Sequence, residues 1–324
     1  MNSFITATGS YLPARVVSNE ELAQKLGLTP EQIFKSSGIR QRHWAAPGEI
    51  TSALGCAALR KAGVSTEDID YLILGTMTSD RFIPGSAPAV QAALNLREVP
   101  CLDIRQACCN TLYGLQLANA LVTSGLATNV AVCLAEVQST FLTVSPQAGT
   151  TSMLFGDGAA ALIVSSEGEV GALEIVDVHL ATDGKYVDDL GIRAPGSQFN
   201  GRAEPQDYVP RMNGQSVILQ ASRRMLSACQ TVLDRNSLSI DNVSWIVPHQ
   251  ANANLLTQLA RGLKLKDVSR VVSVIENTGN TSSASMAIAL DTLWRSGTLR
   301  PGDYVLMPGF AAGFTWGAAL CRVW

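Results

Sequence analysis

Along most of this chain, short unbroken apolar runs alternate with longer stretches whose apolar residues recur every three or four positions. The short runs read as buried strands and the longer ones as amphipathic helices, which predicts an α/β fold with strands covered on both faces. Strands are expected at Tyr71–Leu74, Val130–Ala135, Ala160–Val164, Trp245–Val247, Val271–Val274 and Tyr304–Met307. Helices are expected at Leu112–Thr123, Val217–Leu233 and Ser285–Arg295. The pattern also echoes itself: Gly158–Val164 resembles Gly317–Val323, and Asp68–Leu74 resembles Ile240–Val247. Each half of the chain is therefore expected to run through helix, strand, helix, strand and a closing Gly-rich hairpin, with residues 1–165 and 166–324 as the two halves. Arg193–Gly214, rich in Pro, Gly, Asn and charge without a clean period, is expected to form a long surface loop.

Composition narrows the class. A chain of 324 residues with 47% apolar side chains can bury a large core, enough for two domains or two fused repeats. A net charge of −3 gives no basic field for nucleic acid. No apolar run approaches the roughly 18 residues that span a membrane, and Met1–Ile5 lacks the basic-then-apolar order of a signal peptide. The seven cysteines are an odd number and sit mostly in apolar runs, so they read as reduced core residues of a cytoplasmic protein. With three histidines and no Cys-x-x-Cys or His-x-x-x-His pair, no metal site and no permanently bound cofactor are expected.

Three distant segments carry chemistry: Asp103–Cys108, Trp245–Gln250 and Gly279–Ser285. Cys108 follows a probable strand and precedes a helical run, where unpaired N–H groups favour thiolate and should lower its pKa from about 8.5. A buried structural cysteine is the competing reading. Cys109 is a rival thiol, but neighbouring helical side chains point about 100° apart, so at most one faces a site. His249 leaves a strand after Pro248, and Asn280 sits between Gly279 and a Thr-Ser-Ser series; a structural histidine and a helix cap are their plain readings. Together the three make another sense. A thiolate takes an acyl group from a thioester at little net cost, and two neutral N–H donors in a dry pocket stabilise the enolate left by decarboxylation of a malonyl thioester. The Gly-rich turn within Gly309–Gly317 has N–H groups that complete an oxyanion hole with that of Cys108. Phe155–Gly158 is too short for a dinucleotide fingerprint.

With these motifs in order, the chain resembles the beta-ketoacyl-acyl carrier protein synthase III family of the thiolase superfamily. The similarity begins at Gly38–His43 and runs through Asp103–Cys108, Tyr113–Leu115, Phe155–Ala159 and Pro248–Asn252. It ends with Gly279–Ser282 and Gly313–Gly317. The resemblance implies a thiolase-like duplicated αβαβα five-layer fold and a homodimer. It implies acyl transfer from an acyl-coenzyme A or acyl carrier protein thioester to Cys108, then decarboxylative Claisen condensation assisted by His249 and Asn280. It also places Cys108 and Ala312 at the oxyanion hole, and Ile83 and Phe310 at the substrate pocket, Ile83 reaching across the dimer.

Departures from the family pattern bear on the donor. Gln32 and Ser36 stand where relatives usually carry a Trp and an Arg for the adenine end of coenzyme A, and Gly149 stands where a second Arg is usual. Asn254 and Leu219 replace common basic residues of the carrier-protein surface, for which Arg223, Arg224, Arg261 and Lys264 are candidate substitutes. Cys109 and Asn110 replace a small residue and Gly, and Ala312 replaces a Gly. These changes point away from the housekeeping role and toward a specialised fatty-acid or polyketide-type pathway with a carrier-protein donor. The rival readings are an acyltransferase passing the Cys108-bound group to an alcohol or amine, a cysteine peptidase, and a non-catalytic partner subunit.

Overall fold

Apolar residues on both faces of the short runs draw nine strands into one hydrogen-bonded sheet in the computed structural model, which describes residues 2–324. From one edge it runs Val243–Ile246, Tyr304–Ala311, Thr315–Val323, Leu173–Thr182, Phe4–Tyr11, Gly158–Ser165, Asn129–Glu136, Tyr71–Gly75 and Cys101–Ile104. The two halves meet at a narrow seam, where Phe4 pairs with Glu174 and Ile5 with Leu173. Outward from that seam each half repeats the same senses, first two antiparallel pairings and then a parallel one.

Two helices, Asn110–Thr123 and Ser285–Arg295, lie between the halves and share one apolar cluster with strands of both. Ser285–Leu290 is buried on every side, which is why that stretch of the helix is apolar or small throughout, and the buried Asp291 that follows is met by Thr8 and Ser10. Thr51–Ala62 covers the outer face of the first half, and Gly214–Arg235 with Ala253–Gly262 covers the outer face of the second. Helix, sheet, helix, sheet, helix is the five-layered arrangement that the family resemblance implied.

The duplication reaches the turns. Ala107, with φ +48°, opens the short 3-10 turn Ala107–Cys109 ahead of one central helix. Ser282, with φ +50°, opens the turn Ser282–Ala284 ahead of the other. The two elbows pack against each other between the sheet halves.

The expected strands form within a residue or two of their bounds, except Tyr304–Met307, which continues to Ala311, and Val271–Val274. That run takes the far edge of the second half but makes a single bridge, Val271 to Ile246, because the chain turns at Ile275 into a one-turn helix. The Arg193–Gly214 region holds 3-10 turns and a two-residue ladder of Arg211–Met212 with Leu190–Gly191.

Candidate active site

Cys108 is set by its elbow. The strand Cys101–Ile104 ends, Asn110 Oδ1 accepts the Gln106 N–H at 2.7 Å, and the left-handed Ala107 turns the chain back toward the central helix. Cys109 faces the other way, fully buried, with Sγ 3.5 Å from the Thr315 carbonyl oxygen. Only the first of the two adjacent thiols is partly open. Burial pushes the Cys108 thiol up to about 11, the Ser282 hydroxyl opposing and the Glu136 carboxyl adding to the rise. The depressed pKa expected of a helix N-terminus is therefore corrected: desolvation outweighs the unpaired N–H groups, and the resting form is the thiol.

His249 is almost wholly buried, its own N–H bonded to the Pro308 carbonyl at 3.0 Å. Its Nδ1 lies 2.7 Å from Ser285 Oγ, which also accepts the Gln250 N–H at 3.1 Å. When the Ser285 hydroxyl donates to Nδ1, the neutral imidazole carries its proton on Nε2. Burial holds this histidine down at about 4, so the ring is neutral around pH 7.

Asn280 follows the left-handed Gly279 and is clamped by its backbone: its N–H donates to Leu154 O at 2.8 Å and its carbonyl accepts from Gly156 N–H at 3.0 Å. Its Oδ1 accepts the Ser282 N–H at 2.9 Å. This is a turn bond and not the expected helix cap, which is corrected: Thr281 holds the cap position of the following 3-10 turn and makes no side-chain capping bond. With Oδ1 committed, the remaining group of the Asn280 carboxamide is the Nδ2 donor.

One segment gathers all three side chains. Residues 280–285 carry Asn280 itself, bring Ser282 Oγ to 3.6 Å from Cys108 Sγ, and hold His249 through Ser285. Sequence reasoning took this Ser-rich stretch only as turn chemistry, because its partners lie far away along the chain. It also missed Glu136, a fully buried carboxyl at the end of the strand Asn129–Glu136. Burial raises Glu136 to about 7, opposed by hydrogen bonds that include Ser283, Met77 N–H and Thr78. A lone acid closing an otherwise apolar strand was the available signal.

The other expected positions are placed as follows. Ala312 lies half-buried in the turn between Tyr304–Ala311 and Thr315–Val323. Phe310 is buried in the outer apolar cluster of the second half, its ring centroid 4.8 Å from that of Phe314. Ile83 stands at the tip of an open loop, 79% exposed. Gln32 is spent on a capping box with Thr29, the Ser36 hydroxyl turns back to the Gln32 carbonyl, and the amides of Asn252 and Asn254 both donate to the Ser36 carbonyl. Arg224 is paired with Asp183 and stacked on Trp316. A groove of about 750 Å³ lined by Ser10, Lys61, Asp291 and Arg295 shares no residue with this site. Among the described residues no group of three or more His, Cys, Asp or Glu is placed to hold a metal, and no helix is long and apolar enough to cross a membrane.

Residues 102–184 match the family model described as 3-oxoacyl-[acyl-carrier-protein] synthase III, and residues 233–323 match its C-terminal counterpart. A beta-ketoacyl-[acyl-carrier-protein] synthase III of Streptomyces coelicolor is 40% identical over 98% of this chain and 96% of its own length. The crystal structure of 3-oxoacyl-[acyl-carrier-protein] synthase III from Aquifex aeolicus superposes with a TM-score of 0.89 at 32% identity, covering 99% of this chain and 100% of that one. The priming beta-ketosynthase of the R1128 polyketide pathway matches with the same TM-score and identity, covering 99% of this chain and 96% of its own. With its duplicated five-layered fold and its motifs in family order, the chain belongs to the beta-ketoacyl-[acyl-carrier-protein] synthase III family of acyltransferases.

Proposed function

We propose that this protein is a condensing enzyme in which the half formed by residues 1–165 carries the nucleophile and the half formed by residues 166–324 carries the groups that handle the enolate. The observation that supports this most is the convergence of Cys108, His249 and Asn280 on the single segment 280–285. In the first step Cys108 Sγ attacks the carbonyl of an acyl thioester. The oxyanion is met by the N–H groups of Cys108 and Ala312, the C–S bond of the donor breaks, and the Cys108 proton leaves on the donor thiol. In the second, a malonyl thioester loses carbon dioxide, and Nε2–H of His249 with Nδ2–H of Asn280 stabilises the resulting enolate. The enolate carbon then attacks the acyl group on Cys108, the C–S bond to Cys108 breaks, and the beta-ketoacyl product leaves with Cys108 as the thiolate, which regains its proton from water.

Donor, partner and place belong to the same proposal. The side chains that would grip the nucleotide of coenzyme A are absent at positions 32, 36 and 149, while Asn254 and Leu219 thin the basic carrier-protein surface and the amides at 252 and 254 are spent on a neighbouring helix end. A carrier-protein thioester in a specialised, polyketide-type pathway suits that surface best. The enzyme works as a cytoplasmic homodimer, with the exposed Ile83 of one protomer bounding the acyl pocket of the other.

Intact-protein mass spectrometry tests the core of this. Wild type mixed with a panel of acyl-coenzyme A and acyl-carrier thioesters should gain the mass of one acyl group, and Cys108→Ala should gain none. Malonyl thioester added second should discharge the acyl group with release of carbon dioxide. Discharge only by an alcohol or amine would replace condensation by plain acyl transfer.

A further inference from the structure

We infer that Ser282 is a further catalytic residue, whose hydroxyl carries the charge of the Cys108 thiolate during acyl transfer while its backbone N–H fixes the carboxamide of Asn280. The inference rests on the proposed role of Cys108 and adds to it the group that makes the thiol usable.

The need for such a group follows from the surroundings of the thiol. Transfer requires the anion, since the thiol itself is a poor nucleophile. His249 is a weak base for Cys108: its ring nitrogen Nδ1 is engaged with Ser285, and burial holds it down at about 4. The titratable groups that bear on Cys108 are Glu136, from the strand beneath it, and Cys109, from its own turn. An ionised Glu136 repels a thiolate, and Cys109 points to the Thr315 carbonyl instead. The side-chain hydrogen-bond partner that the structure gives Cys108 is Ser282 Oγ, at 3.6 Å and 3% exposed, where water competes little. A hydroxyl suits this place because it can reverse. It accepts from the S–H of the resting thiol and, after one rotation, donates to the sulfur once the proton has gone. The bond becomes charge-assisted only in the reactive state, so it favours the thiolate over the thiol.

Backbone conformation gives the second half of the argument. Ser282 holds φ +50°, a left-handed geometry that a residue with a Cβ rarely adopts. In that geometry its N–H meets Asn280 Oδ1 at 2.9 Å while its side chain meets Cys108. The two jobs use separate atoms, so removing the hydroxyl should act on acylation and spare the donor geometry of Asn280.

The test is the pH dependence of Cys108 alkylation by iodoacetamide, followed on the full-length protein by mass, with Cys108→Ser giving the background from the other cysteines. Ser282→Ala removes the hydroxyl, and Ser282→Gly removes it while easing the left-handed backbone. In both, the inflection should move up by about one pH unit, as loss of a bond to the charged form demands. The single-turnover acylation rate should fall about tenfold, with discharge by malonyl thioester falling less. An inflection unmoved in both variants would overturn the inference. So would a shift in Ser282→Ala that Ser282→Gly reverses, since that would trace the effect to strain. Because alkylation needs no acyl donor, these outcomes stand apart from failure of the proposed function, which would appear as no acylation of wild type by any donor.

Discussion

At the scale of single residues, burial governs the chemistry more than any nearby charge does. His249 is held down at about 4, so it stays a neutral donor well below the pH at which an ordinary histidine is protonated. Decarboxylation of malonyl thioester should therefore stay level from pH 8 to about pH 5, and a fall centred near pH 6.5 would contradict this reading. Glu136 behaves in the opposite sense. Its folded pKa of about 7 lies above the 4.5 of the free side chain, so the stability it lends is complete below pH 4.5 and is lost as the pH rises through 7. That slope amounts to about 3 kcal/mol for a shift of this size. Melting curves of Glu136→Gln from pH 5 to 8 should lose that slope relative to wild type. Cys108, His249 and Asn280 were singled out in the sequence because each is a reactive or polar group a short way beyond an apolar run. Ser282, Ser285 and Glu136 were not: a hydroxyl that serves a sulfur 174 positions away leaves no local mark.

At the scale of elements, the turn that delivers Asn280 is packed too tightly to vary. A Cβ on Gly279, whose φ is +65°, would sit 2.8 Å from Arg42 Cβ and 3.0 Å from Leu154 O. Gly279→Ala should cost about 2 kcal/mol or more, from left-handed strain plus overpacking, and should lower condensation more than acylation. Chemical denaturation alongside the two half-reactions would check both. Elements buried on both faces were the easiest to find, and Ser285–Arg295 falls on its expected bounds. Phe4–Tyr11 and Leu173–Thr182 were not singled out, although they form the seam between the halves. Each mixes polar with apolar positions, and Thr8 and Ser10 spend theirs on the Asp291 carboxylate, a partner the local pattern cannot reveal.

At the scale of the whole molecule, Phe82 and Ile83 are 76% and 79% exposed side by side, an apolar tip that a solitary chain would leave in water. Light scattering should give twice the chain mass for wild type, and Ile83→Asp should shift it toward one chain and lower acylation. A monomeric wild type would remove the cross-dimer pocket from the proposal. The internal echo revealed the repeated order of elements and the family resemblance the layers, but neither revealed that the paired elbows at Ala107 and Ser282 lean on each other. That contact limits how the protein can change over generations. A substitution that reshapes the bend at Ala107 also disturbs the bend at Ser282, so under the proposed mechanism acyl preference and competence in carbon–carbon bond formation are expected to change as one trait. Changes in acyl preference alone are then expected at positions such as 32 and 83, which lie outside the paired bends.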